Sequence, residues 1–237
     1  GIGVAWLLGL EKDGLFGSVV DVPSLLSHDV TAIAKSDAGL RAVACVEPAA
    51  VAYVACQNTH IGGGDVVVVF GGGPIGLFVA MLSHSTFGAG EVHVVEPGAY
   101  RREFARQWCD RVYDVEEFFA GPPRAVDVVI EASGEMNNVN RLLPRVNANG
   151  RVAVLARSGT ALRLDAVDHL ITNQISIVGS RGHLGGAFSK VLSLYENDRL
   201  PLGAVVTRVV DGLDGLCALL QQPAGIQREN CKVLARL

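Results

Sequence analysis

The sequence predicts an α/β protein built on a doubly wound parallel sheet, and three observations carry that prediction. An apolar run, Val66–Phe70, leads straight into Gly71-x-Gly73-x-x-Gly76, and Leu77–Leu82 follows at helical spacing. A second apolar run, Val92–Glu96, ends in an acid 20 positions past Gly76. Further apolar strands then alternate with helical stretches down to about residue 196. That alternation is what parallel strands joined by crossover helices require.

Residues 1–44 read as loop and strand, with Phe16–Pro23 an extended segment stopped by a proline that lacks the ladder donor. Glu47-Pro48 opens an alanine-rich helix to about Thr59, the proline standing in the first turn where its missing N–H costs nothing. Gly62–Asp65 turns the chain into the strand Val66–Phe70, with Asp65 closing the loop. After Glu96 come a helix over 99–109, a short strand over 111–113 and a buried strand, Val126–Ile130, that runs into Glu131-Ala132-Ser133-Gly134. A helix over 139–143 precedes a turn at Asn149-Gly150 and the strand Arg151–Leu155. The strand Gln174–Gly179 and a helix over 187–197 complete the alternation. Residues 198–237 break it, and Val205–Val210, a leucine-rich helix and the final Lys232–Leu237 read as part of another module.

Each part of the glycine stretch has a physical task. Gly71 permits a tight turn, Gly73 has no Cβ to hold the backbone off a pyrophosphate, and Gly76 lets helix and strand pack closely. Pro74 and Ile75 open the helix, whose N-terminus presents unpaired N–H groups and the positive end of its dipole to phosphates. Glu96 can accept both hydroxyl hydrogens of an adenosine ribose, whereas a 2′-phosphate would put like charge against it. The spacing therefore points to NAD rather than NADP, with Arg101 and Arg102 close enough in sequence to soften the repulsion. The bland alternative is a plain glycine-rich turn, and strand, helix and acid at the expected offsets together count against it.

Composition bounds the rest. A chain of 237 residues, 49% hydrophobic and 19% charged, suits one large domain or one and a half. A net charge of −4 makes no case for nucleic acid or an anionic surface. Residues 66–90 carry no Asp, Glu, Lys or Arg, yet Gly71–Pro74 interrupt the run after one strand, so it is not a membrane span. The five cysteines are scattered without C-x-x-C spacing, which predicts reduced thiols, a cytoplasmic setting and no cysteine-built zinc site. The six histidines lack ligand spacing, and only His183, after the Val178–Ser180 strand end, is a candidate for the substrate side. Ser133 and Ser158 lack a nucleophile elbow, so hydrolase chemistry has no support. The chain starts at Gly1 without a start signal, which suggests that it begins inside a longer protein.

From Asp13 onward the chain resembles the medium-chain, zinc-type alcohol and polyol dehydrogenases. Asp13–Pro23 resembles the family's D-G-x-F-A-E-Y-V-x-V-P, Glu47–Ala52 its E-P-L-A-V-A, Gly71–Leu77 its G-A-G-P-I-G-L, and Val129–Gly134 its V-x-E-A-S-G. The resemblance implies a Rossmann NAD-binding domain over 49–196, flanked by remnants of a mainly β, GroES-like catalytic domain at 1–48 and 197–237. It implies that Ala132 and Ser133 line the adenosine side, and that Leu155, Ala156 and Ser180 offer backbone contacts to the nicotinamide. Most zinc ligands and the proton-relay hydroxyl fall in the family ahead of residue 1. Glu47 alone carries over to the metal site, and one carboxylate cannot hold zinc.

The activity so implied is NAD-dependent oxidation of a secondary alcohol, polyol or cyclitol, to its ketone, with zinc present only if the missing front is. The resemblance also implies a homodimer or homotetramer, through an apolar sheet edge at Gln174–Gly179. The rival expectation is a truncated relative that binds NAD without redox catalysis, as a sensor or interaction module. A methyltransferase shares the glycine loop and the acid, but E-P-x-x-V-A and V-G-S speak against it.

Overall fold

The computed structural model describes residues 36–121, 125–182, 185–221 and 223–236. The extended stretch expected at Phe16–Pro23, together with His28 and His183, lies outside them.

The described chain opens on a helix, α1 (Asp37–Val43), where sequence reasoning expected loop and strand. Ser36 explains the difference: its hydroxyl accepts the Gly39 N–H at 3.2 Å, a helix N-cap overlooked in the sequence. Next, α2 (Val46–Asn58) is apolar on nearly every side and buries nine of its residues, because it lies between two other helices rather than on a surface.

The expected alternation follows in order: β1 (Val66–Phe70), α3 (Pro74–Ser85), β2 (Glu91–Val95), α4 (Ala99–Ala105), β3 (Arg111–Tyr113), α5 (Val115–Ala120), β4 (Val126–Glu131), α6 (Asn137–Leu142), β5 (Val146–Val154), α7 (Val167–Thr172), β6 (Ser176–Gly179) and α8 (Ala187–Glu196). The six strands form one parallel sheet in the order β3-β2-β1-β4-β5-β6. This is the doubly wound Rossmann arrangement, whose direction of winding reverses between β1 and β4.

Burial follows the two-residue period of a strand covered on both faces. Val67 and Val69 join the layer built with Leu77, Phe78 and Leu82 of α3 and Ala49 and Tyr53 of α2. Val68 and Phe70 join the opposite layer with Phe118, Val139 and Leu142. Each Val, Leu or Phe among them, fully buried, is worth ~1.5–3 kcal/mol relative to exposure. α2 packs against both α3 and α8, so the first layer is three helices wide.

Several boundaries differ from the sequence expectation for local reasons. Helix α4 stops at Ala105, not Cys109, because Asp110 must reach back to pair with Val92, its N–H donating at 2.9 Å and its Oδ2 accepting at 2.7 Å. Asn149-Gly150 is a bulge inside β5, not a turn before it: Val126 pairs with Val146 but Val128 with Arg151, and Asn149 takes φ +60°. Besides α1, helices α5, with its Asp114/Glu117 capping box, and the short α7 passed unnoticed, as did the helix Pro223–Glu229.

The C-terminal residues form a separate two-stranded parallel sheet, β7 (Val206–Asp211) with β8 (Lys232–Arg236), connected through α9 (Gly212–Leu220) and α10 (Pro223–Glu229). Among the contacts that bind this unit to the rest, Arg236 pairs with Asp37 of α1 at 3.1 Å, Arg101 donates to the Asn230 carbonyl at 3.0 Å, and α10 packs on α4. Among the described residues no single helix is long and apolar enough to cross a membrane.

Candidate dinucleotide site

At the carboxyl ends of β1 and β4 the strand order reverses, the place where open sheets of this kind leave a crevice for ligands. The glycine loop forms one wall. Gly71 has φ +102°, and a Cβ there would stand 3.0 Å from the Ala132 carbonyl, so this glycine is demanded both by conformation and by the turn after β4. A Cβ on Gly76 would collide with the Gly71 carbonyl oxygen. Gly73 is the N-cap of α3 and Pro74 occupies the first turn, with no side chain capping it, so the following amides at Ile75 and Gly76 present their N–H groups outward.

Glu96 stands just past β2, 7% exposed, and its carboxylate grips the loop. Oε2 accepts the Gly72 N–H at 2.8 Å and Oε1 accepts the Gly98 N–H at 2.7 Å. Each oxygen keeps a second lone-pair direction, so acceptor capacity remains for a ligand's hydroxyls. The two arginines sequence reasoning grouped together have different occupations. Arg102 is committed to structure, donating through Nη1 to the carbonyls of Glu96 and Pro97 and to Asp114 Oδ2 at 3.2 Å. Arg101 faces the loop: its Nη1 lies 3.7 Å from where a Gly73 Cβ would be, and its Nε donates to the Asn230 carbonyl at 3.0 Å. Arg102 is thus held through Nη1 by protein acceptors, whereas Arg101 is turned toward the loop.

The opposite wall is the turn Ala132–Gly134, held by a residue that sequence reasoning quoted but did not single out. Glu131 is wholly buried at the end of β4, and its Oε1 accepts from the Ser133 N–H (2.6 Å), the Ser133 hydroxyl (2.7 Å) and the Gly134 N–H (2.7 Å). Burial pushes its carboxyl above the usual range despite those donors. The signal was available: an acid ending an otherwise apolar buried strand needs a partner.

On the far side, Leu155 and Ala156 both give their N–H groups to the Glu131 carbonyl, at 2.9 and 3.3 Å, and Ser180 gives its own to Val154 at 3.0 Å. What these three backbones can offer a ligand is therefore carbonyl oxygen. The Ser180 hydroxyl accepts from Asn58 Nδ2 at 3.1 Å, a contact spanning 122 positions that no spacing argument reaches. Glu47 is exposed in the first turn of α2, away from these residues in sequence and without an ion pair among the described residues. Three of the described histidines have structural partners: His93 is buried against Glu91, His84 pairs with Asp110, and His169 bonds to the Val146 carbonyl and to Asn173.

Residues 74–197 match the family described as zinc-binding dehydrogenase. The chain belongs to that family. Among its curated relatives, a scyllo-inosose 3-dehydrogenase of Thermotoga maritima is 33% identical over 207 residues, 79% of this chain and 52% of the relative. A 2-dehydro-3-deoxy-L-galactonate 5-dehydrogenase of Pseudoalteromonas atlantica is 26% identical, covering 85% of this chain and 59% of its own length. The chain thus spans a little over half the length of these two relatives. In fold it is similar to a short chain alcohol dehydrogenase of E. coli CFT073 solved with NADH, at a TM-score of 0.84 and 20% identity, over 96% of this chain and 67% of that one.

The donors of this family's metal do not gather in the described part of the chain. No group of three or more His, Cys, Asp or Glu side chains that could hold an ion occurs among the described residues. Zinc takes four ligands, at least three of them usually from protein, so Glu47 with its immediate surroundings does not fit the ion. All five cysteines are free thiols, and Cys45, Cys56 and Cys231 are buried.

Proposed function

We propose that the full-length protein is an NAD-dependent oxidoreductase that moves a hydride between a secondary alcohol, of the polyol or cyclitol kind, and its ketone. The observation that carries this reading is the buried Glu96 carboxylate, anchored on the glycine loop by Gly72 and Gly98. An anion so held favours a ribose with free hydroxyls and opposes a 2′-phosphate. The relatives named above supply the substrate class, since both act on polyhydroxylated carbon skeletons by name.

In this reading Gly71–Gly76 and the first turn of α3 seat the diphosphate, Glu96 takes the adenosine ribose, and Ala132 and Ser133 flank the adenosine. The carbonyls of Leu155, Ala156 and Ser180 face the nicotinamide end, where a carboxamide offers N–H donors. The nicotinamide supplies the hydride acceptor, and the chain's task is to orient it and keep water away. The same reading takes β6 as the edge across which two copies pair into one sheet. The thiols suit a reducing, cytoplasmic setting.

The test is NADH formation by the full-length, metal-replete protein, followed by absorbance across a panel of polyols and cyclitols with NAD or NADP. Turnover with NAD exceeding that with NADP is expected. Dinucleotide binding without turnover on any member would instead favour a binding module, and no binding at all would overturn both.

A further inference from the structure

The Asn230–Cys231 peptide unit lies between two side chains. Its carbonyl accepts Arg101 Nε at 3.0 Å, and its N–H donates to Thr207 Oγ1 at 3.0 Å. A peptide is planar, so its two polar groups point in opposite directions and rotate together. Thr207, at the start of β7, therefore fixes the rotation of a peptide whose far side holds the Arg101 guanidinium. The place is well enclosed, with Asn230 5% and Cys231 4% exposed. Burial raises the Cys231 thiol to about 12, while Arg101 opposes that rise and Glu96 adds to it, so the segment lies within the field of both. On its free side Arg101 Nη1 stands beside Gly73, the N-cap of α3. The route from the C-terminal unit to the glycine loop is thus three groups long: hydroxyl, peptide, guanidinium.

We propose that Thr207, through the Asn230–Cys231 peptide, is a positioning residue that aims Arg101 at the diphosphate of the bound dinucleotide, so that the C-terminal sheet sets phosphate affinity. This rests on the function proposed above. An arginine tied at Nε keeps its terminal amines in one plane and loses little freedom on binding, so its charge acts at a fixed point. With Thr207 replaced by Val, the enclosed N–H loses its acceptor, the peptide is released to turn, and Arg101 keeps its charge but not its aim.

The experiment is binding of NAD, ADP-ribose and adenosine to the full-length protein by titration calorimetry. Wild type, Thr207→Val, Thr207→Ser, Arg101→Ala and the Thr207→Val/Arg101→Ala pair are compared, each checked for folding by circular dichroism. Arg101→Ala is expected to weaken NAD and ADP-ribose at least about tenfold, as for a lost charge-assisted bond, and Thr207→Val about fivefold. Adenosine, which has no phosphate, is expected to bind equally to all. Thr207→Ser restores the wild-type value, and the double variant is no weaker than Arg101→Ala alone, because one effect acts through the other. Equal loss for adenosine and ADP-ribose, or additive losses in the double variant, would overturn the coupling and make Thr207 a general brace. Unchanged ADP-ribose binding in Thr207→Val would overturn it too. Failure of the wild type to bind NAD or ADP-ribose would instead overturn the dinucleotide reading itself, and the coupling with it.

Discussion

At the end of β4 one carboxylate oxygen of Glu131 accepts three hydrogen bonds, while its other oxygen is buried without a partner among the described residues. Such an acid is costly to ionise, and burial raises its pKa over the opposition of those donors. The sign follows: the folded protein binds this proton more tightly than the unfolded chain, so stability falls as pH rises from the ordinary glutamate range, ~4.3, through the raised value. Glu131→Gln keeps an acceptor for Ser133 and Gly134 but cannot ionise. Melting followed by circular dichroism is expected to give a difference between variant and wild type that moves in the variant's favour as pH rises through that window. A difference independent of pH would show that Glu131 keeps its ordinary pKa. Across from it, Glu96 has a backbone N–H on each oxygen and is read as the ribose partner. Glu96→Ala is expected to weaken NAD by about 1–3 kcal/mol. NADP should lose less, so a NAD/NADP ratio that stays constant in fluorescence titrations would remove Glu96 from the recognition of ribose. Gly76→Ala is a steric case: its Cβ meets the Gly71 carbonyl, which has no room to move without shifting the loop. Loss of dinucleotide binding in a folded protein is expected, and near-normal binding would mean the loop is softer than its contacts imply.

Elements were legible in the sequence where a local pattern determines them and obscure where a distant partner does. β1, α3 and β2 could be read directly, because an unbroken valine run, a glycine motif and a helical spacing each have one compact structural solution. The bulge in β5 could not, since it is set by the register of β4 two elements away. Site residues divide the same way. The glycines and Glu96 follow from a spacing rule, but the Asn58–Ser180 and Arg101–Asn230 contacts join positions 122 and 129 apart and exist only once the chain has folded. The β6 edge belongs to the legible group, and the sheet order places β6 outermost, paired on one side only with β5. It carries no lysine or proline to blunt it, and a parallel edge strand directs alternate N–H groups outward. Ser180 donates inward to Val154, so by alternation Gly179 points its N–H outward. A Cβ on Gly179 would meet nothing within 4 Å, so a proline there removes an outward donor with little steric cost. Light scattering of the full-length protein is expected to give a dimer or a higher even assembly, and Gly179→Pro to shift it toward monomer while the melting of the protomer changes little. An unshifted assembly would move the interface off this edge.

Over the whole molecule, the described residues divide the chemistry unevenly. They contain a complete candidate seat for the cofactor and, as far as metal is concerned, only Glu47, exposed in the first turn of α2. An acid at that place gains from the helix dipole whatever else it does, by ~0.3–1 kcal/mol, so its presence alone does not argue for an ion. The two halves of the function are therefore separable by experiment. If the relatives' chemistry holds here, metal must draw its other ligands from beyond the described residues, while dinucleotide affinity resides in the Rossmann sheet, the glycine loop and the Thr207–Arg101 route. Removing metal from the full-length protein with a chelator, verified by elemental analysis, is expected to abolish alcohol-dependent NADH formation and to leave NAD binding within about twofold, a difference of ~0.4 kcal/mol. Glu47→Gln is expected to follow the same division, lowering turnover without weakening NAD, because Glu47 stands in the first turn of α2 and not in the glycine loop. Full turnover in metal-free protein would remove zinc from the reaction. Loss of NAD binding on chelation would mean instead that the metal braces the cofactor seat, and the two functions would then be one.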